Sequence, residues 1–278
     1  MSTFFESFLT SASVTSQGCV RKENQDAFCE LLQDGCFLVA DGMGGGSAGA
    51  IASNMLCDEI SDIVMESAEE MPGLRMANVQ GKIQAVNKDI IAFAEKRGFS
   101  QMGTTLALLL FSTWNPEVAN ICHLGDSRVY RLRNQSLSSL TYDHTVGAEL
   151  NRNGGNGDLD MMDHKKQKMS HILTRAVGIS RVLKPEWTTV QNEPNDRYLI
   201  CSDGITTMLE ESEIEHILLS SNTPADAVAL LDNAVMEAGA KDNFTAIVVF
   251  LGEMFPPCII PEKEENEENN YLLKSMEE

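Results

Sequence analysis

The chain has 278 residues with 21 Lys and Arg against 41 Asp and Glu, a formal charge of −20. That sign of charge disfavours non-specific binding to nucleic acid or anionic membrane and suits a cationic partner or bound metal. At 43% hydrophobic and 22% charged, the composition is that of a globular protein with one large domain or two small ones.

The opening residues, MSTFFESFLTSAS, carry an acid and no Lys or Arg ahead of their apolar positions, unlike the charged start of a secretory signal. No apolar run approaches the roughly 18 residues of a membrane span. Seven cysteines, an odd number without a C-x-x-C pair and mostly inside apolar runs, predict reduced, core-filling thiols. A cytoplasmic protein with no membrane or nucleic-acid partner is expected.

Along the chain, the run CFLVA at 36–40 reads as a strand, and helical periodicity follows at 48–67 and 74–96. Apolar runs at 105–111, 118–124 and 128–132, bounded by Gly, Asp, Asn or Pro, predict three further strands. The stretch 147–170 is polar, rich in Gly and Asn, and predicts a mobile surface excursion. A strand at 197–201 and a helix at 210–219 come next. A second helix over 224–238 has Thr223 as its cap, Pro224 at its first position and Gly239 at its end. A strand over 244–251 closes the pattern, and the Glu-rich residues after Phe255 predict a disordered acidic tail. Strands cluster with strands and helices with helices, which predicts a sheet-based α+β layer fold.

Four Asp residues stand where an apolar strand ends or begins: Asp41, Asp126, Asp203 and Asp242. A fifth, Asp26, precedes a short apolar stretch. One Asp beside Gly at a strand edge is ordinarily a turn former. Several converging on one cleft repel each other unless cations neutralise them. Oxygen-only ligands suit Mg²⁺ or Mn²⁺ rather than zinc. Two such ions about 3.5–4 Å apart clamp a phosphoryl group and lower the pKa of a bridging water. The pattern predicts phosphate-ester hydrolysis.

The motifs RKENQD at 21–26, FLVADGMGG at 37–45, MGTT at 102–105, LGDSR at 124–128, CSDG at 201–204 and KDN at 241–243 occur in this order. This ordered set resembles the metal-dependent protein phosphatase 2C (PPM) family, bacterial type, over roughly 14–251. The resemblance implies a four-layer α-β-β-α sandwich of two antiparallel sheets flanked by helices, with a cleft at one edge. It implies a single catalytic domain over 1–255, with a flap insertion at about 145–172 and the tail at 256–278. Asp41 would bridge two Mn²⁺ or Mg²⁺ ions, the Gly42 carbonyl would complete one, and Asp203 and Asp242 would hold the other. Asp26 would act through coordinated water, Arg21 would fork onto the substrate phosphate, and Asp126 would serve a third, weaker metal beside Asp203. The implied activity is hydrolysis of phosphoserine and phosphothreonine in proteins by a metal-bridged hydroxide, with an opposing Ser/Thr kinase as partner and a monomeric state.

Met43 replaces the His that animal members carry as proposed acid, so water at a metal is the substitute proton source, and Gln25 stands where those members have Glu. Two other readings compete. G-x-G-x-x-G at 44–49 spells the dinucleotide-binding fingerprint of an oxidoreductase, though Asp41 ends the preceding strand where a pyrophosphate would lie. The plainer reading has these glycines permitting a tight turn and close backbone approach to metal and phosphate. A non-catalytic binding module on the phosphatase fold would be marked by lost metal ligands, yet Asp41, Asp203 and Asp242 are present. His123 is expected in the core, His144 in a structural turn, and His164 in solvent.

Overall fold

The computed structural model describes residues 2–152 and 172–258. Two antiparallel sheets stack face to face. One orders its strands β1 (Leu9–Ser16), β11 (Phe244–Leu251), β10 (Arg197–Cys201), β7 (Arg128–Arg133) and β8 (Ser136–Ser139). The other runs β2 (Asp26–Leu31), β3 (Cys36–Gly44), β5 (Leu106–Phe111), β6 (Val118–Leu124) and β9 (Glu186–Gln191), with the short β4 (Met102–Thr104) paired to β3.

Side-chain alternation divides these strands between two cores. Phe37, Val39, Leu109, Phe111 and Ile121 point inward to meet Val129, Tyr198, Ile200, Ile247 and Val249 of the facing sheet. The intervening residues Cys36, Leu38, Leu108 and Cys122 point outward beneath helices α2 (Ala48–Glu66) and α3 (Pro72–Arg97). On the other outer face, Leu199, Cys201, Ala246 and Val248 pack under α6 (Glu211–Ser220) and α7 (Pro224–Glu237). Both faces of each central strand are therefore covered, which is why 106–111 reads as an unbroken apolar run. Each fully buried Leu, Ile or Phe contributes about 1.5–3 kcal/mol. The four layers and antiparallel sheets agree with the expected fold.

The Thr223 hydroxyl accepts from the Asp226 N–H at 3.1 Å and Asp226 returns the bond, so the cap of α7 forms as its sequence indicates. Five cysteines are buried and all seven are free. The excursion begins differently from expectation: Val146–Arg152 forms helix α4, tethered where the Val146 N–H donates to the Ile172 carbonyl at 2.9 Å. The remainder of that excursion, with His164, and the acidic tail beyond Cys258 lie outside the described residues. The glycine fingerprint also has another use. A Cβ on Gly49 would lie 2.6 Å from the Gly42 carbonyl oxygen, so these glycines let the end of β3 touch the start of α2 rather than a ligand. With every strand pairing antiparallel, the βαβ unit that a dinucleotide fold needs is absent among the described residues.

Candidate active site

The polar residues gather at one end of the sandwich, some on passages between the sheets and others at the ends of strands. Arg21 lies on the connection from β1 to β2, and Asp126 on the turn from β6 to β7. Asp26 and Asp41 oppose each other in the β2/β3 register. Asp203 opens the short helix α5 (Asp203–Thr206) after β10, and Asp242 precedes β11. Arg21, Asp41, Gly42, Asp126, Asp203 and Asp242 line one cleft of about 680 Å³. Asp26 sits beneath it, 8% exposed.

Burial and mutual repulsion set the charge of this cluster. The Asp41 carboxyl is pushed well above its ordinary range by burial, then by Asp26, Asp203, Asp126 and Asp242. Burial, with Asp203 and Asp143 nearby, raises Asp126 to about 7. Asp26 rises to about 6 by burial, against the bond it accepts from Ser202. The Ser202 hydroxyl donates to Asp26 Oδ2 at 2.7 Å and accepts from the Thr245 N–H at 2.9 Å, whereas Asp26 Oδ1 is buried without a hydrogen-bond partner.

Sequence reasoning missed the residues that hold the acids in place. The Asn243 amide donates to the carbonyls of Gln17 and Glu23, both at 2.9 Å, and its oxygen accepts from the Gln25 N–H, so it pins the loop that carries Arg21. Thr105 Oγ1 accepts from the Asp41 N–H at 2.9 Å and lies 2.6 Å from the Ser127 hydroxyl. These residues lie inside the motifs: Ser127 and Asn243 stand beside a site Asp in sequence, whereas Thr105 meets Asp41 only in the fold. Asp126 is held from two sides. Arg128 forks onto Asp143 at 2.7 and 2.8 Å, while the backbone and ring of His144 bond the Gly125 carbonyl and N–H at 2.7 and 3.2 Å. His123 is in the core, as expected, and His144 is buried in the turn where a structural role was expected of it.

An oxygen-only donor set, an orphaned buried carboxylate oxygen and raised carboxyls fit hard divalent cations. A second cluster does not fit a metal. His123, His144 and Glu186 bring their ligand atoms within 4.8 Å of one another. However, His144 Nδ1 accepts from Gly125, so its Nε2 carries the proton that points to Glu186 at 3.2 Å. The Arg175 guanidinium already occupies Glu186 at 2.9 Å. This trio is a polar knot behind the Asp126 turn.

The sequence pattern described as protein phosphatase 2C matches residues 19–235. The chain is 34% identical over 240 residues to the serine/threonine phosphatase stp of Listeria innocua, covering 84% of this chain and 93% of that protein. In structure it is similar to PppA, a key regulatory component of T6SS in Pseudomonas aeruginosa, with TM-score 0.77 and 32% identity over 88% of this chain and 98% of the other. It is also similar to the catalytic domain of the serine/threonine phosphatase PstP in complex with two manganese ions, with TM-score 0.75 and 27% identity over 88% and 99% of the two chains. An acidic cleft at one end of two stacked antiparallel sheets, together with these likenesses, means that the chain belongs to the protein phosphatase 2C family.

Proposed function

We propose that the chain removes phosphate from phosphoserine and phosphothreonine in proteins, with two Mn²⁺ or Mg²⁺ ions. Asp41 and the Gly42 carbonyl would hold one ion, and Asp41, Asp203 and Asp242 the other. Asp26 would act through water, and Asp126 with Asp203 would take a third, weaker ion. Bound there, such ions lower the pKa of water and neutralise phosphoryl oxygens. Arg21 orients the phosphate with the guanidinium N–H groups not given to Asp242. Met43 has no ionisable proton, so the leaving oxygen is protonated from water rather than from that side chain.

The observation that carries this reading is the convergence of Asp41, Asp203 and Asp242 with Arg21 in one cleft. Purified protein should release phosphate from p-nitrophenyl phosphate and from a phosphothreonine peptide with Mn²⁺ and not after chelation. Hydrolysis that survives exhaustive chelation would overturn it. The reading extends to one catalytic unit over 1–255, a monomer in the cytoplasm, set against a Ser/Thr kinase acting on the same proteins. Among the described residues no helix is long and apolar enough to cross a membrane.

A further inference from the structure

The cleft carries its acids at one end, and away from them apolar side chains stand in the lining beside Glu95, Ser100 and Gln101. Beyond the acids, α3 turns Ile91 and Ala94 toward it, three positions apart on one helical face, and Phe99 follows the helix end. Opposite them stand Ile172 and Ile179, 49% and 43% exposed, although β-branched side chains of this size ordinarily seek the core. Met43 and Met102 share this lining with the apolar residues and the acids. Met43, two residues from Asp41, pairs with Gly103 across β3 and β4. A Cβ on Gly103 would lie 2.9 Å from Ile179 Cγ2 and 3.7 Å from Met43 Cγ. Exposed apolar residues scattered singly need no explanation, but a concave set continuous with a phosphate-binding end defines an amphipathic ligand.

We infer that this wall is a side-chain subsite that accepts an apolar residue of the substrate protein close in sequence to its phosphorylated Ser or Thr. The inference rests on the phosphoprotein reading above, which places the phosphate between Arg21 and the acids. The occupant then extends away from the acids, across Met43 and Gly103, toward Ile179 and Ile91. Charge at this rim is already matched, because Arg181 bonds Glu95 at 3.1 Å with both side chains exposed. Discrimination therefore falls to apolar contact. A flanking Asp or Lys would find no unpaired partner in that pair.

The test is a set of phosphothreonine heptapeptides in a Gly-Ser background, with a single Leu moved through each position, assayed with Mn²⁺ for kcat and KM. At one position or more, Leu should raise kcat/KM about tenfold over Ser, mainly through KM. Ile179→Ser should bring that ratio close to one, and Ile91→Ser gives the same readout should the first variant fail to fold, as judged by its melting curve. A flat scan by an enzyme that hydrolyses the peptides, or a preference that persists in both variants, overturns the subsite and leaves the phosphatase reading standing. If none of the peptides is hydrolysed with Mn²⁺, the phosphatase reading falls and takes the subsite with it.

Discussion

Arg21 and Asp242, 221 residues apart in sequence, meet at 2.6 Å, so the guanidinium proposed to receive phosphate rests against a carboxylate proposed to hold metal. Arg21→Ala should raise KM for a phosphopeptide by roughly ten- to a hundredfold, the worth of a charge-assisted bond. Arg21→Lys should recover only part, because an ammonium cannot fork. Calorimetric Mn²⁺ affinity should hold or tighten in Arg21→Ala, since a competing cation has left Asp242. A weakened Mn²⁺ affinity would move Arg21 out of the phosphate role.

Asp203 and Asp126 should separate. Asp203→Asn removes a charge proposed to hold the paired ions, and turnover should drop by roughly a hundredfold or more, as when a preorganised electrostatic contact is lost. Asp126→Asn should keep two ions bound while slowing poor leaving groups more than good ones. Metal stoichiometry and single-turnover rates on phenyl phosphates of graded acidity check both. Equal slowing of all leaving groups would deny Asp126 a part in protonation.

His144→Ala would leave the Gly125 N–H without its acceptor and reduce Glu186 to its bond from Arg175. A loss of about 1–3 kcal/mol in urea unfolding is expected from the stranded Gly125 N–H. The effect should also reach kcat, because Gly125 precedes Asp126 and its φ of 104° fixes that turn. Unchanged stability would show that Arg128 and Asp143 alone position the turn.

His123 has no hydrogen-bond partner at either ring nitrogen, and burial, then His144, pushes its pKa down to about 4 from 6.5. Between these values the unfolded chain binds the proton that the native ring refuses. Its contribution is therefore intact above 6.5 and lost as pH falls toward 4, a difference of about 3 kcal/mol. In His123→Leu, the stability lost between these two pH values should shrink by about that amount relative to the parent chain. Parallel pH profiles in urea would refute the assignment.

Much of the sandwich was legible because its central strands are covered on both faces, leaving the unbroken apolar runs 106–111 and 246–251. The edges were not. β1 is LTSASVTS and β9 is EWTTVQ, and these small, hydroxyl-bearing or charged residues pair well while half exposed and look like loop in sequence. The acids could be found because Asp is unusual beside an apolar strand. Their supports flank site Asp residues in sequence, but the partners of Ser202 and Asn243, 176 and 226 positions away, could not be read there.

The two sheets contribute two acids each: Asp26 and Asp41 come from one, Asp203 and Asp242 from the ends of strands in the other, and Asp126 from a passage between them. No contiguous fragment therefore owns the site. It comes into being only as the two halves close on each other, late in a topology of long-range pairings. Any cation that needs all these oxygens favours the closed sandwich over every partly assembled state, by its affinity and its concentration. Metal supply then bears on how much native protein persists as well as on how fast it works.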